Sequence, residues 1–343
     1  MKLGRFATLR DHFRARGQRG IAGISGGSTS GTMGALLDPI VLLSFQNTGR
    51  EHPRTYEFVG ELEDGIGRPI VRLEYRPPPT KGGRPCEARF DVVRHDCLDT
   101  TGAPFEMLME AINAFRAKEG KGKIAPWWKS RLCTTYMKTR TARAYVESLG
   151  WESGHDEYVG LRADEPDRIA RIRVGHPKRI GRFAPLSDAG ITAADVAEFW
   201  DMQPFKLGLD PILGNCTGCF LKDQADLSRA MRRPESDIIW WHRMQAKYPG
   251  WGGKNFVGYR QLASEYRTRI RIESELRDGV VPENTYRDID DERFRLVVIQ
   301  ERRRLANGAT PFSCGCEGAT TLANMEPEEE DAFILSLPSE EAA

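Results

Sequence analysis

The chain is short of most features that would place it quickly. Fifty Lys and Arg face 49 Asp and Glu across 343 residues, a net charge of +1, so no bulk field argues for a polyanionic partner and any anion site must be local. No long hydrophobic run exists: Ile40 to Phe45, interrupted at Ser44, is far too short to cross a bilayer. No apolar signal segment follows the N-terminal basic residues, so a cytoplasmic protein with no membrane partner is expected. Arg5, Arg10, Arg14, Arg16 and Arg19 then read as one solvated helix face opposite Phe6, Leu9 and Phe13. There are only six histidines, and none has the spacing of a ligand pair. Internal repeats are lacking as well. Hydrophobic residues at 40% and charged residues at 29% exclude a collagenous, fully disordered or membrane-embedded chain. The length suits two domains, or one α/β domain with a large elaboration, and supports a core without disulfides. Seven cysteines, an odd count, are in a reducing compartment better suited to metal, cluster or thiol chemistry.

What is present alternates. Ile21 to Ile24 reads as a strand entering Ser25-Gly26-Gly27-Ser28-Thr29-Ser30-Gly31, with a helix following. Ile40 to Phe45 has the continuous apolar character of a central parallel strand, and Asn47-Thr48-Gly49 turns the chain after it. A helix from Pro53 to Leu62 and a strand from Ile70 to Tyr75 complete the pattern of a doubly wound, mostly parallel Rossmann-like sheet. Pro77-Pro78-Pro79 and Gly82-Gly83 open a stretch, about 76–125, that reads as an insertion with an extra strand at Ala88 to Val93. Helices are expected over Phe105 to Lys118, from beyond Trp127-Trp128 through Tyr136 to Leu149, and over Asp195 to Trp200 behind a Thr192 cap. A short strand is expected at Tyr158 to Arg162. The α/β domain is thus set at 1–222, a mainly helical region at 223–325, and a disordered acidic tail at 326–343.

A Ser/Gly turn between strand and helix aims several backbone N–H groups at one spot, where the helix terminus adds about half a positive charge. Such a nest suits phosphate. Ser25-Gly26-Gly27-x-x-Ser30 is neither the Gly-Lys-Ser/Thr P-loop nor the G-x-G-x-x-G fingerprint, and alone it is equally a flexible turn.

Taken with its neighbours, the loop resembles the PP-loop of the phosphoadenosine phosphosulfate (PAPS) reductase family, in the adenine nucleotide α-hydrolase-like superfamily. Five segments occur in the family's order: Ser25 to Ser30; Phe45 to Tyr56, with Asn47-Thr48-Gly49-Arg50-Glu51; Arg131-Leu132-Cys133-Thr134-Thr135-Tyr136-Met137-Lys138; Gly160-Leu161-Arg162-Ala163-Asp164-Glu165; and Gly214-Asn215-Cys216-Thr217-Gly218-Cys219. The resemblance implies that Ser25, Gly26, Gly27, Ser28, Thr29 and Ser30 hold the phosphates of ATP, adenylyl sulfate or PAPS. Asn47, Thr48, Gly49 and Glu51 would border the adenosine end, with Lys138, Arg162 and Arg171 supplying cationic charge. The alternative for the arginines is ion pairing with nearby acids such as Asp164 and Glu165. ATP-splitting members carry Lys-Asp where Ser28 and Thr29 stand here, which removes a carboxylate that manages Mg²⁺ and pyrophosphate.

Cys216-x-x-Cys219 is a metal half-site, because two thiolates on one turn reach the same ion. With Cys133 it resembles the cluster cysteines of sulfonucleotide reductases, although Leu132 replaces one of an adjacent pair. A [4Fe–4S] cluster with an open iron, a fourth ligand from Cys314 or Cys316, and a structural zinc all remain open. Cys314 is the candidate nucleophile and Cys316 the candidate ligand, although Ser313 and Glu317 depart from the reductases' C-terminal motif. Cys86 and Cys97 read as structural. The resemblance implies an oxidoreductase served by a thiol reductant or a sulfur-donor protein. The alternative is a sulfurtransferase that adenylylates and thiolates tRNA or DNA, for which the basic run Arg173-x-x-His176-Pro177-Lys178-Arg179-x-x-Arg182 is a candidate contact.

Overall fold

The computed structural model describes residues 1–126, 131–172, 179–214, 216–222, 226–227, 230, 238–248, 250–252, 332 and 335–336. Six strands form one sheet: β1 (Gly20–Gly23), β2 (Leu42–Asn47), β3 (Ile70–Arg76), β4 (Arg89–Val93), β5 (His155–Tyr158) and β6 (Ile180–Phe183), in the order β4-β3-β2-β1-β5-β6. All neighbours are parallel except the edge pair β3–β4. The expected mostly parallel α/β sheet is therefore observed, and its order reverses at β1, which has β2 on one side and β5 on the other. That crevice, outside the carboxyl ends of β1 and β5, is where open α/β sheets bind ligands.

The strand boundaries have local causes. β2 begins at Leu42 rather than Ile40 because Asp38 turns the chain first, its carboxylate accepting Ile40 N–H (3.1 Å) and its carbonyl accepting Val41 N–H (3.0 Å). The strand expected at Tyr158 to Arg162 instead spans His155–Tyr158. Its register with β1 ends at Ala22 opposite Tyr158, and Gly160 then presses on Ser30, where an added Cβ would stand 3.0 Å from Ser30 Cα. β6, carrying Ile180 to Phe183, has no counterpart in the sequence reading. The N-terminal arginines do not share one helix: a 3₁₀ helix spans Gly4–Phe13, burying Phe6 and Phe13, and stops before Arg14, Arg16 and Arg19.

Helices α1 (Ser28–Leu36), α2 (Pro53–Ile66) and α5 (Ala193–Asp201) pack with the 3₁₀ helix over one core that includes Ala22, Leu43, Phe45 and Ile70. Thr192 caps α5 in a reciprocal box with Asp195. The second core takes Tyr75, five positions from Ile70 and so on the opposite sheet face. It gathers α3 (Ala103–Lys118), the π-helical stretch Cys133–Arg140 that runs into α4 (Thr141–Ser148), the Cys216–Cys219 turn and the helix Ile238–Lys247. The 76–125 segment thus supplies an edge strand and a core helix. Likewise, packing runs across the expected boundary at 222. Leu335, in the tail expected to be disordered, rests half-buried against this core. Cys97 is exposed rather than structural, and Cys86 is half-buried. Trp127 and Trp128 lie outside the described residues.

Trp241 is the keystone of the second core, meeting Phe105, Trp240 and Trp251 at ring separations of 6.2, 4.8 and 6.1 Å. An added Cβ on Gly218 would come within 2.4 Å of its indole. Trp241→Ala is expected to destabilise the chain by about 3–5 kcal/mol, read as a lower urea midpoint, because neighbours on three elements cannot close the cavity.

Candidate functional site

The Ser25 to Ser30 turn leaves β1 at the reversal point of the sheet. Gly26 has φ +78°, and a Cβ there would also strike Thr55 Cγ2 at 2.2 Å, so only glycine fits. Ser25 N–H donates to Ser30 Oγ, the two hydroxyls lie 3.0 Å apart, and Ser30 Oγ donates to Gly27 C=O, which fixes the turn from within. Gly27 caps α1 without a side-chain hydrogen bond. The first-turn amides of α1 thus keep the orphan donors of a helix terminus. Trp200 Nε1 donates to Ser28 C=O at 2.9 Å, anchoring that turn to α5.

Arg162 reaches this turn from the loop after β5. Its Nη1 donates to Thr29 Oγ1 at 3.1 Å and its Nε to Asp164 Oδ1 at 2.9 Å, while its backbone N–H donates to Glu165 Oε2 at 3.0 Å. Arg162 is thus ion-paired with Asp164, as the alternative reading expects, and its free edge also reaches the Ser/Gly turn at Thr29. Glu165 is shared with Arg168. Arg171 is exposed, its Nε bonded to Asp167 C=O.

Asn47, Thr48, Gly49 and Glu51 follow β2 and mostly hold one another. Asn47 Nδ2 donates to Glu74 Oε1 (2.8 Å) and Asp99 C=O (2.7 Å), and its Oδ1 accepts Gly49 N–H. Glu51 is buried at 7% exposure and accepts Thr48 Oγ1 at 2.7 Å and Tyr56 OH at 3.1 Å. Thr48 Oγ1 also stands 3.3 Å from Cys216 Sγ. Thr48 has one hydroxyl proton; with that proton on Glu51, the sulfur is left as donor, so this arrangement holds Cys216 as a thiol. The chains themselves meet here, Glu51 bridging Cys216 and Thr217 N–H donating to Arg50 C=O at 3.1 Å. His52, given no role by the sequence, caps α2 through Nδ1.

The three expected cysteines are all buried in the second core, and all act on Lys138. Burial opposes the Lys138 charge, but Cys216, Glu51, Cys133 and Cys219 outweigh it and raise its pKa. Burial, reinforced by Cys219, pushes the Cys133 thiol up to about 11, and burial with Glu51 raises Cys216. Lys222, which the sequence reading passed over, pins the cysteine turn by donating Nζ to Ile212 C=O (2.6 Å) and Thr217 C=O (3.1 Å). Burial brings its pKa down to about 8. Among the described residues no group of three or more His, Cys, Asp or Glu side chains forms a metal-holding set. The thiols therefore suit a thiophilic metal in kind, without closing a ligand shell in this arrangement. Asn215, Cys314 and Cys316 lie outside the described residues. Of the basic run, 173–178 also lie outside, and Arg182 is turned inward on Glu157 at 2.7 Å.

No family model matches the chain. The chain is 26% identical over 286 residues to an uncharacterized nin region protein, ORF290, of Escherichia phage lambda, an alignment covering 80% of this chain and 89% of that protein. That protein is uncharacterized, so the likeness assigns no task to this chain. Among the described residues no helix is long and apolar enough to cross a membrane.

The buried thiols predict an alkaline weakness. An ordinary thiol ionises near 9 and Cys133 near about 11, so the unfolded chain loses this proton first. The stabilisation is present in full below about pH 9 and is lost as pH rises through about 11, at most about 2–3 kcal/mol for this group. Urea unfolding followed across that window is expected to show a shallower decline in Cys133→Ala than in wild type; equal slopes would deny Cys133 the role.

Proposed function

We propose that this protein is an enzyme of the PAPS reductase type that binds an adenine nucleotide or sulfonucleotide at Ser25 to Ser30 and performs sulfur chemistry with its buried cysteines. One observation carries this reading: a glycine-dependent turn with an uncapped helix terminus sits at the reversal point of a parallel sheet, and the loop after the adjoining strand β2 holds the Cys216 thiol through Thr48. In the first step the amides of the α1 terminus take up phosphate, as helix N-termini do for anions. Arg162 adds charge-assisted hydrogen bonds from across the crevice, with Asp164 fixing the angle of its guanidinium. Lys138 lies in the field of all three thiols and Glu51, so it favours negative charge on sulfur when a proton leaves.

An iron–sulfur cluster belongs to the same proposal, with Cys133, Cys216 and Cys219 as the residues that would hold it; such a centre supplies electron transfer when bound. Zinc is the alternative, and Mg²⁺ enters only if ATP is cleaved. A thiol reductant or sulfur-donor protein would serve as partner. The second reading, ATP-dependent thiolation of tRNA or DNA, keeps the same nucleotide site. Its basic-run contact loses Arg182 to the Glu157 ion pair.

Calorimetry with ATP, adenylyl sulfate and PAPS tests the nucleotide site. At least one is expected to bind wild type, and Gly26→Val is expected to weaken it tenfold or more, about 1.4 kcal/mol, because the side chain both strains φ and displaces Thr55. Binding by none of the three, or unchanged binding by the variant, sinks the reading. Iron and acid-labile sulfide measured on anaerobically purified protein decide the metal, with both expected in wild type and lost in Cys216→Ser.

A further inference from the structure

β4 is an edge strand, antiparallel to β3, and among the described residues no further strand pairs with its outer side. Half of its backbone N–H and C=O groups therefore face outward, a ready template for another strand. Arg89, Asp91 and Val92 are exposed, and Val92, at 58%, is the most exposed large hydrophobic residue among those described. Phe90 and Val92 lie on the sheet face that α4 covers, since the Phe90 ring meets that of Tyr145 edge-on at 5.6 Å. Arg89 and Asp91 share the opposite face.

On that face the charges are mismatched within the chain. The register sets Arg89 against Arg76 and Asp91 against Glu74, so both direct cross-strand pairs are of like charge, which weakens a ladder. Arg76 offsets part of this along the diagonals, reaching Asp91 at 2.7 Å and Glu74 at 3.5 Å. Arg89 is left with a like charge opposite and no ion pair among the described residues. Edge charges of a single sign keep copies of a strand apart. Here the two signs alternate, and a second copy of the strand supplies the carboxylate that Arg89 lacks.

We propose that β4 pairs with β4 of a second copy of this chain, antiparallel and centred on Phe90, joining the two sheets edge to edge. The two-fold axis of such a pair stands normal to the sheet, so like faces stay together and only every second register is open. Centred on Arg89 or Asp91, the axis sets a charge against itself. Centred on Val92 or Val93, it forms no ion pair. Centred on Phe90, it sets Arg89 opposite Asp91 of the copy, and symmetry makes this pair twice. The same register sets Phe90 against Phe90 of the copy, beside Tyr145, and Val92 against Ala88. Charge complementarity thus selects both the occupant and the register. A ladder over one five-residue strand is a small interface, so the dimer dissociates in the micromolar range. The pairing is independent of the chemistry at the Ser/Gly turn.

Sedimentation equilibrium of the full chain tests this, alongside Arg89→Asp, Asp91→Arg, the double exchange of both, and an equimolar mixture of the two single variants, each first checked for an unchanged thermal transition. Wild type is expected to show a reversible monomer–dimer equilibrium at about 100 μM, weakened by high salt. Each single variant sets two like-charged pairs across the axis and is expected to dimerise about tenfold more weakly, about 1.4 kcal/mol. The double exchange and the mixture restore opposite charges at both pairs and are expected to recover the wild-type affinity, the mixture as a heterodimer. A loss caused by damage to the strand itself is not rescued by mixing. Wild type that stays monomeric at that concentration overturns the proposal and makes the alternating charges guards against pairing. Unchanged dimerisation in both single variants overturns the assignment to β4. Dimerisation lost in the single variants and not recovered in their mixture overturns the register.

Discussion

Everything at the candidate site hangs on the place where Glu51 meets Cys216. These residues are far apart in the chain, yet a single antiparallel bridge and the Thr217-to-Arg50 hydrogen bond join them. Through that seam the loop after β2, fixed by the sheet, dictates where the cysteine turn must stand. The seam is also closed to water. Glu51, Thr48 and Cys216 are buried, and the carboxylate is compensated there by the Thr48 and Tyr56 hydroxyls and by the backbone N–H groups of Thr48 and Arg50, all of which donate to it. Removing a donor leaves an acceptor uncompensated in a low-dielectric place, which costs more than the hydrogen bond alone contributes.

The sheet and the seam divide the labour. The core over α1, α2 and α5 holds the Ser/Gly turn rigid, with Trp200 and Thr55 setting its two sides. The opposite core, rich in aromatic rings, holds the thiols. Arg50 ties the seam into it by stacking over Trp240 at 4.5 Å from the ring centre. Gly102 permits that approach, since a Cβ there would lie 2.6 Å from the same indole. The Ser/Gly turn and the thiol-bearing core thus share one wall, the end of β2.

Periodicity and turn chemistry made much of this legible. The apolar run into β2, the Thr192 cap and the Ser/Gly turn are local signals, and each lies where the sequence puts it, within a residue or two. What the sequence did not show was non-local. Nothing in Glu51 itself says that Tyr56 and Cys216 will close around it, and nothing in Lys222 says that it will bind the carbonyls of Ile212 and Thr217. β6 was missed because four residues, Ile180 to Phe183, carry too little pattern for a strand. Arg182 was misread for a related reason: a basic residue in a basic run looks solvated until Glu157 on the neighbouring strand is known to face it.

The π-helical winding of Cys133–Arg140 has a geometric outcome of its own. Five positions along an α-helix turn a side chain by about 140° from its starting direction, so residues 133 and 138 would diverge. Bonding each amide five residues back narrows that divergence. That is how the Cys133 thiol and the Lys138 ammonium come to feel one another from a single helix. The register is therefore a kind of vernier: slipping by one hydrogen bond into ordinary α-helical winding would carry the ammonium around the barrel of the helix and away from the sulfur, with no change of residue at all.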